Sequence, residues 1–281
     1  MRFKFLLLLP LAALPFLWLG TAKSPLTTFD RTSIEKQLAA KYARKEPLRV
    51  HVFVPLCDNV NQGIVPTNAT LGNGQNPTTN LYWGGGYGVK THLKRAEGWK
   101  LLGQGKPAEA EILDRALFER TLANGSKVQL VADAYDGAHM AACIRDFYAS
   151  LAGQKSGDAV AGTGSLPGWS AADLVVFNGH NGLMDIDVDV PARKDTRQRD
   201  AVVIACASKG YFLDPLSRLG GYPLITTTGL LAPEAYVLKG VVETWAALKT
   251  GAEVRTAAGT AYNTYQKCGI KGATNLFHSG W

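Results

Sequence analysis

The chain is poor in the residues that staple or metallate a fold. Its 281 residues include only four cysteines, Cys57, Cys143, Cys206 and Cys268, too few for a disulfide scaffold of this length. None of their spacings is CxxC, and no His or Cys cluster has zinc-ligand spacing. In an exported chain the four would permit one or two disulfides, with three full pairings. Lys and Arg outnumber Asp and Glu, 30 against 23, but they are scattered, and no basic stripe alternates with aromatics. Nucleic acid is therefore not an expected partner. Phe5 to Leu19 is the longest apolar run; it is broken by Pro10 and Pro15 and falls short of a membrane span. There is no GxSxG elbow and no internal repeat. Gly84-Gly85-Gly86-Tyr87-Gly88-Val89-Lys90-Thr91 approaches a phosphate loop, but Val89 separates Gly88 from Lys90-Thr91 and no strand leads into it.

Hydrophobic residues make up 46% and charged residues 19%, the balance of a globular chain with a substantial core. Arg2 and Lys4 precede the apolar stretch, and Gly20-Thr21-Ala22 supplies small residues for cleavage after Ala22. Residues 1–22 therefore read as a secretory signal or, uncleaved, as an N-terminal anchor that would be the only membrane attachment. The expected location is periplasmic or extracellular. No Cys precedes Cys57, so lipid attachment at a processed N-terminal Cys is excluded. Residues 23–47, polar and charged, read as a linker or surface segment, and 48–281 as one α/β domain. Asn68-Ala69-Thr70 and Asn124-Gly125-Ser126 are acceptor sequons in any host that glycosylates exported proteins.

Leu48 to Leu56 reads as a first core strand, followed from Cys57 to about Asn80 by a long loop rich in Asn, Gly, Pro and Thr. Such a loop at the carboxyl end of a strand suits a functional role. Pro107 opens an expected helix through Leu122, with Asn124-Gly125 ending it. Lys127 to Ala134 is a second strand. Met140, Cys143, Ile144, Phe147 and Leu151 recur at helical spacing over 138–152. Tyr222 to Thr226 reads as a later strand, and helices follow from Pro233 and over Ala252 to Tyr265. The order is strand, helix, strand, helix, strand, strand, helix, strand, helix. It predicts a three-layer α/β/α domain with a mainly parallel sheet.

Two segments share one design. Leu174-Val175-Val176-Phe177 runs into Asn178-Gly179-His180-Asn181-Gly182, and Ala201-Val202-Val203-Ile204-Ala205 runs into Cys206. Apolar runs without alternation are buried parallel strands, and catalytic groups collect beyond the carboxyl ends of such strands. A His and a Cys on neighbouring strands would be in reach of each other as base and nucleophile. A loop histidine bonded locally and a buried structural cysteine are the ordinary readings of each residue taken singly.

An apolar strand ending in Gly-His and another ending in Ala-Cys resemble the caspase-like cysteine peptidases, which include caspases, metacaspases, legumain, gingipains and clostripain. The resemblance covers roughly residues 48–250. Phe177-Asn178-Gly179-His180 is similar to the metacaspase and gingipain forms. Two departures stand out: Asn181 intervenes before Gly182, where the family has Gly directly after His, and Ile204 stands where metacaspases and clostripain have Asp. The resemblance implies that Cys206 attacks the scissile carbonyl of a peptide or protein substrate and that His180 protonates the leaving amine. Backbone N–H groups near Gly179, Gly182 and Cys206 would hold the oxyanion.

It also implies a place for a residue that orients His180, at Asp58 or Asn59, since legumain has an Asn in that neighbourhood. Asp133 and Asp136, like an Asp in arginine-specific gingipains, would favour a basic P1 residue; the plainer reading is a surface carboxylate or helix cap. No cofactor is expected. Asp185, Asp187 and Asp189 alternate along Met184–Val190, so a strand would put all three on one face, suited to calcium or simply solvated. The competing reading is a binding protein on the same scaffold, holding a ligand or glycan with the 57–88 loop and Tyr82, Trp83 and Tyr87.

Overall fold

Runs such as Leu174–Phe177 and Ala201–Ala205 have no polar face to offer solvent, so they are stable only where both sides of the sheet are covered. The computed structural model describes residues 26–155, 157–168 and 171–281. The expected leader, residues 1–22, lies outside them. The strands are β1 (Leu48–Pro55), β2 (Trp99–Gly105), β3 (Ile112–Thr121), β4 (Lys127–Tyr135), β5 (Ala159–Ala161), β6 (Gly164–Leu166), β7 (Leu174–Asn178), β8 (Arg199–Ile204), β9 (Gly221–Thr227) and β10 (Phe277–His278). The α-helices are α1 (Thr32–Ala43), α2 (Val89–Arg95), α3 (Met140–Leu151), α4 (Ser208–Leu219), α5 (Ala235–Ala246), α6 (Gly251–Gln266) and α7 (Ile270–Leu276).

One sheet runs β10-β9-β8-β7-β1-β4-β3-β2, and β5 pairs with β6 in a separate hairpin. The five strands from β9 to β4 are parallel, while β2, β3 and β10 join antiparallel. Alternate residues divide the core. Val50, Val52, Val54, Val176, Val202 and Ile204 face α1, α2, α5 and α6. Phe53, Val175, Phe177, Ala201 and Val203 face α3 and α4. The fold is three-layer α/β/α.

Two expectations are corrected. The helix expected over 107–122 is instead β3, in antiparallel register with β4. Asn124-Gly125 is its hairpin turn and not a helix stop: Leu122 N–H reaches Ser126 O at 2.8 Å, and Gly125 takes φ +85°. The 23–47 segment is more than a linker, because α1 buries Ile34 and Leu38 in the core. Just before it, Arg31 makes a two-pronged bond to the buried Asp200, Nε to Oδ1 at 2.7 Å and Nη2 to Oδ2 at 2.6 Å.

The topology prepares a crevice. The chain after β1 leads to α2, which packs on one face, whereas the segment after β7 packs Leu183, Val188 and Val190 on the other. Adjacent strands whose connections leave toward opposite faces part at their carboxyl ends, where ligands bind in open α/β sheets.

Candidate functional site

β7 and β8 pair in parallel with Phe177 opposite Val203 and Asn178 opposite Ile204. His180 and Cys206 each lie two residues beyond that last pair, so they leave the sheet level with each other, on strands spaced about 4.8 Å apart. Gly179 N–H donates to Ile204 O at 3.1 Å and carries the ladder one step further. Asn181, the residue that departs from the family pattern, stitches the two tips together. Its Nδ2 donates to Cys206 O at 2.7 Å, and its Oδ1 accepts Leu183 N–H at 3.2 Å.

His180 is buried, and its Nε2 meets Asp185 Oδ2 at 2.6 Å. The same carboxylate oxygen accepts Gly63 N–H at 3.2 Å, so the long β1–α2 loop reaches across to the His loop. That approach suits glycine, because a Cβ at residue 63 would stand 2.5 Å from Asp185 Oδ1 and push the carboxylate aside. His180 Nδ1 makes no hydrogen bond among the described residues.

Cys206 is partly buried and unpaired, with Sγ 3.6 Å from Leu231 O. Behind it the chain turns sharply from strand to helix. Ala207 takes φ 46° and ψ 30°, left-handed backbone in a residue with a Cβ, and α4 begins at Ser208. The turn is anchored by Ser208 Oγ, which donates to Val203 O at 2.9 Å, and by Ala207 N–H, which reaches Gly229 O at 2.9 Å. Thr227 Oγ1 donates to Ala205 O.

The oxyanion assignment changes. Gly179 N–H is taken by Ile204 O, and Gly182 N–H by His180 O. The His180 and Cys206 N–H groups have no acceptor among the described residues. These two are therefore among the donors left for a developing charge at the strand ends, together with the Asn181 and Ala205 N–H groups, which also have no acceptor among the described residues.

Other expected site residues do different work. Asp58 is buried and organises its own loop, accepting from Val60 N–H, Asn61 N–H, Asn61 Nδ2 and Gln75 Nε2. Burial raises its pKa, but those hydrogen bonds outweigh burial and hold the carboxyl below its ordinary range. Asn59 exchanges hydrogen bonds with Thr67. Neither touches His180; the residue that does is Asp185.

Asp133 is buried, with His51 Nε2 at 2.9 Å and Arg115 Nε at 2.5 Å, so it is an internal ion-pair partner with no face toward a substrate. Asp136 caps a short turn through Ala138 N–H and accepts from Gln75. Asp185 to Asp189 form no strand, and Asp187 and Asp189 point to solvent. Among the described residues no group of three or more His, Cys, Asp or Glu is arranged to hold a metal ion.

Tyr82 and Trp83 belong to the core, Trp83 Nε1 donating to Asp114 Oδ2 at 2.8 Å. Tyr87 alone of the three aromatics is exposed, edge-on to Tyr265. Burial pushes the Cys57 thiol up to about 11 and holds Cys143 well above its ordinary value, which suits two inert core cysteines. All four cysteines are free. A cavity of about 700 Å³ opens beside α4, lined by Leu183, Ile186, Val188 and Tyr211 among others. No helix among the described residues is long and apolar enough to cross a membrane.

Nothing in the sequence singled out Asp185 as the partner of His180. The alternation of Asp185, Asp187 and Asp189 suggested a strand face, and only the turn at 182–184 folds the first of them back. No protein-family model, curated protein or solved structure matches this chain.

Proposed function

We propose that the chain is a cysteine hydrolase of the caspase-like kind, an exported one if residues 1–22 act as a secretory leader, cleaving peptide bonds by acyl transfer. The reading rests on one observation above the others. His180 and Cys206 leave adjacent parallel strands at the same level, with Asp185 bonded to the imidazole. In the reaction Cys206 Sγ gives its proton to His180 and attacks the carbonyl carbon of the scissile bond. The oxyanion that forms is met by the His180 and Cys206 N–H groups. The C–N bond then breaks, and His180 hands the proton to the departing amine, leaving a thioester on Cys206. Water, deprotonated by His180, attacks that thioester; the C–S bond breaks, a carboxylic acid leaves, and the thiol is restored.

The competing binding-protein reading loses support, because two of its three aromatics are core residues. The test is alkylation of the purified protein with iodoacetamide between pH 5 and 9, with modified cysteines mapped by mass spectrometry. Selective modification of Cys206 that slows in His180→Ala supports the reading. A Cys206 that reacts no faster than the exposed Cys268 and is indifferent to His180 overturns it.

A further inference from the structure

The three most exposed large apolar side chains among the described residues are Val65 at 92%, Val60 at 87% and Leu230 at 74%. Single exposed apolar residues are ordinary on a protein surface; their placement here is not. Val60 and Val65 flank Gly63, whose N–H meets Asp185. Leu230 stands between Gly229, whose carbonyl accepts Ala207 N–H, and Leu231, whose carbonyl meets Cys206 Sγ. Met184 and Ile186, both exposed, flank Asp185 itself. Each of these five lies within three residues of a group that touches the Cys206, His180 and Asp185 set or the turn behind Cys206. Together they rim the carboxyl edge of the sheet on two sides, and Ile186 continues into the cavity beside α4.

Charge completes the pattern. The exposed carboxylates of Asp187 and Asp189 follow directly on the rim on the His180 side, so acidic side chains of a substrate would be repelled there where uncharged ones are not.

We propose, resting on the cysteine-hydrolase reading, that the substrate is an extended peptide with apolar, non-acidic side chains on both sides of the scissile bond. Those side chains lie against Val60, Val65, Met184 and Ile186 on the His180 side and against Leu230 on the Cys206 side. In an enclosed hydrophobic pocket one methylene discriminates by about 10- to 200-fold; this rim is open, so a preference for Leu over Asp near the lower end of that range is expected, and it is measurable with matched probes.

The experiment uses two peptidyl acyloxymethyl ketones that differ only in carrying Leu or Asp at the positions next to the reactive carbonyl. The second-order rate of Cys206 modification is followed by site-mapped mass spectrometry. Each rate is divided by the rate of the same protein with iodoacetamide. The Leu probe is expected to react at least about tenfold faster than the Asp probe, and the uncharged Val65→Ser and Leu230→Ser are expected to shrink that ratio. Equal rates, a faster Asp probe, or a ratio unmoved in both variants overturns the proposal while leaving the cysteine-hydrolase reading standing. A rim that serves instead as a contact between copies would show as a dimer lost in Val65→Ser with the ratio unmoved, which also overturns it. Failure of Cys206 to react selectively with iodoacetamide is a separate result and removes the underlying reading.

Discussion

His180 Nε2 and Asp185 Oδ2 are 2.6 Å apart, within one loop, and the same carboxylate oxygen also accepts Gly63 N–H. A carboxylate at Nε2 favours the tautomer with its proton there, leaving Nδ1 as the acceptor. It also fixes the orientation of the ring.

On this basis His180→Ala should lower peptide hydrolysis by about 10²- to 10⁴-fold, the usual worth of a general acid–base. Asp185→Asn should lower it by less, because the ring remains but loses its orientation and charge partner. Gly63→Ala, which drives a methyl group into Asp185, should resemble Asp185→Asn. Steady-state rates on a peptide that the wild type cleaves, together with the pH dependence of Cys206 alkylation, check all three. A wild-type profile in Asp185→Asn would remove Asp185 from the mechanism.

The N-terminal arm makes a second prediction. Arg31 and Asp200 are both buried, and Trp245 Nε1 also donates to Asp200 Oδ2 at 2.8 Å. Removing the guanidinium leaves a carboxylate that the core must solvate with one indole N–H. Arg31→Ala should therefore destabilise the fold by about 3–5 kcal/mol, the usual cost of breaking one side of a buried pair. Replacing both residues with apolar ones should cost much less. Urea unfolding of the two variants measures the difference.

The parts of this molecule that were legible are those in which a residue's burial shows in its immediate neighbours. Leu174–Phe177 and Ala201–Ala205 have apolar character on both faces, so their strands, and the places of His180 and Cys206 just beyond them, could be read directly. Cys143, Phe147 and Leu151 carry a helical period for the same reason. The failures lie where one local signal serves two structures. Pro107 and Asn124-Gly125 suit the ends of a helix as well as the turns around a hairpin strand, and the pairing of β3 with β4 decided between them. The partners of His180 and Asp200 depend on long-range or turn-level geometry. Arg31 is 169 residues from Asp200, and no window along the chain contains both.

Titration of the β1–β4 interior yields a third prediction. Burial holds His51 below its ordinary pKa despite Asp133 at 2.9 Å, and Arg115 and Lys155 add to the lowering. The unfolded chain therefore binds a proton at this histidine at a higher pH than the folded one does. Stability should fall as pH drops below about 6.5 and level off once the folded form also protonates. Asp133 acts in the same direction at lower pH. Burial raises it, but bonds from His51 and Arg115 win and hold it below its usual range. Its contribution is present at neutral pH and is lost only below about pH 4. Thermal midpoints between pH 7 and 3 should show both stages, and His51→Phe should flatten the first. A midpoint constant from pH 7 to 5 in the wild type would contradict it.

The turn behind Cys206 yields the last prediction. Ala207 sits at φ 46° and ψ 30°, where a Cβ costs about 1–2 kcal/mol. Ala207→Gly removes that strain but gives the unfolded chain extra freedom worth about 0.5–1 kcal/mol. Relief outweighs entropy, so the variant should be more stable by up to about 1 kcal/mol. Ala207→Val adds a branched side chain where positive φ tolerates it least, and should lose about 1–3 kcal/mol. The functional effect should run the other way. With glycine after it, Cys206 is held less firmly at the strand-to-helix turn, so alkylation of Cys206 should lose part of its dependence on His180. Denaturation curves and alkylation rates for the same two variants separate these effects. An Ala207→Gly variant destabilised by more than about 1 kcal/mol would mean that the methyl group packs and the turn carries no strain.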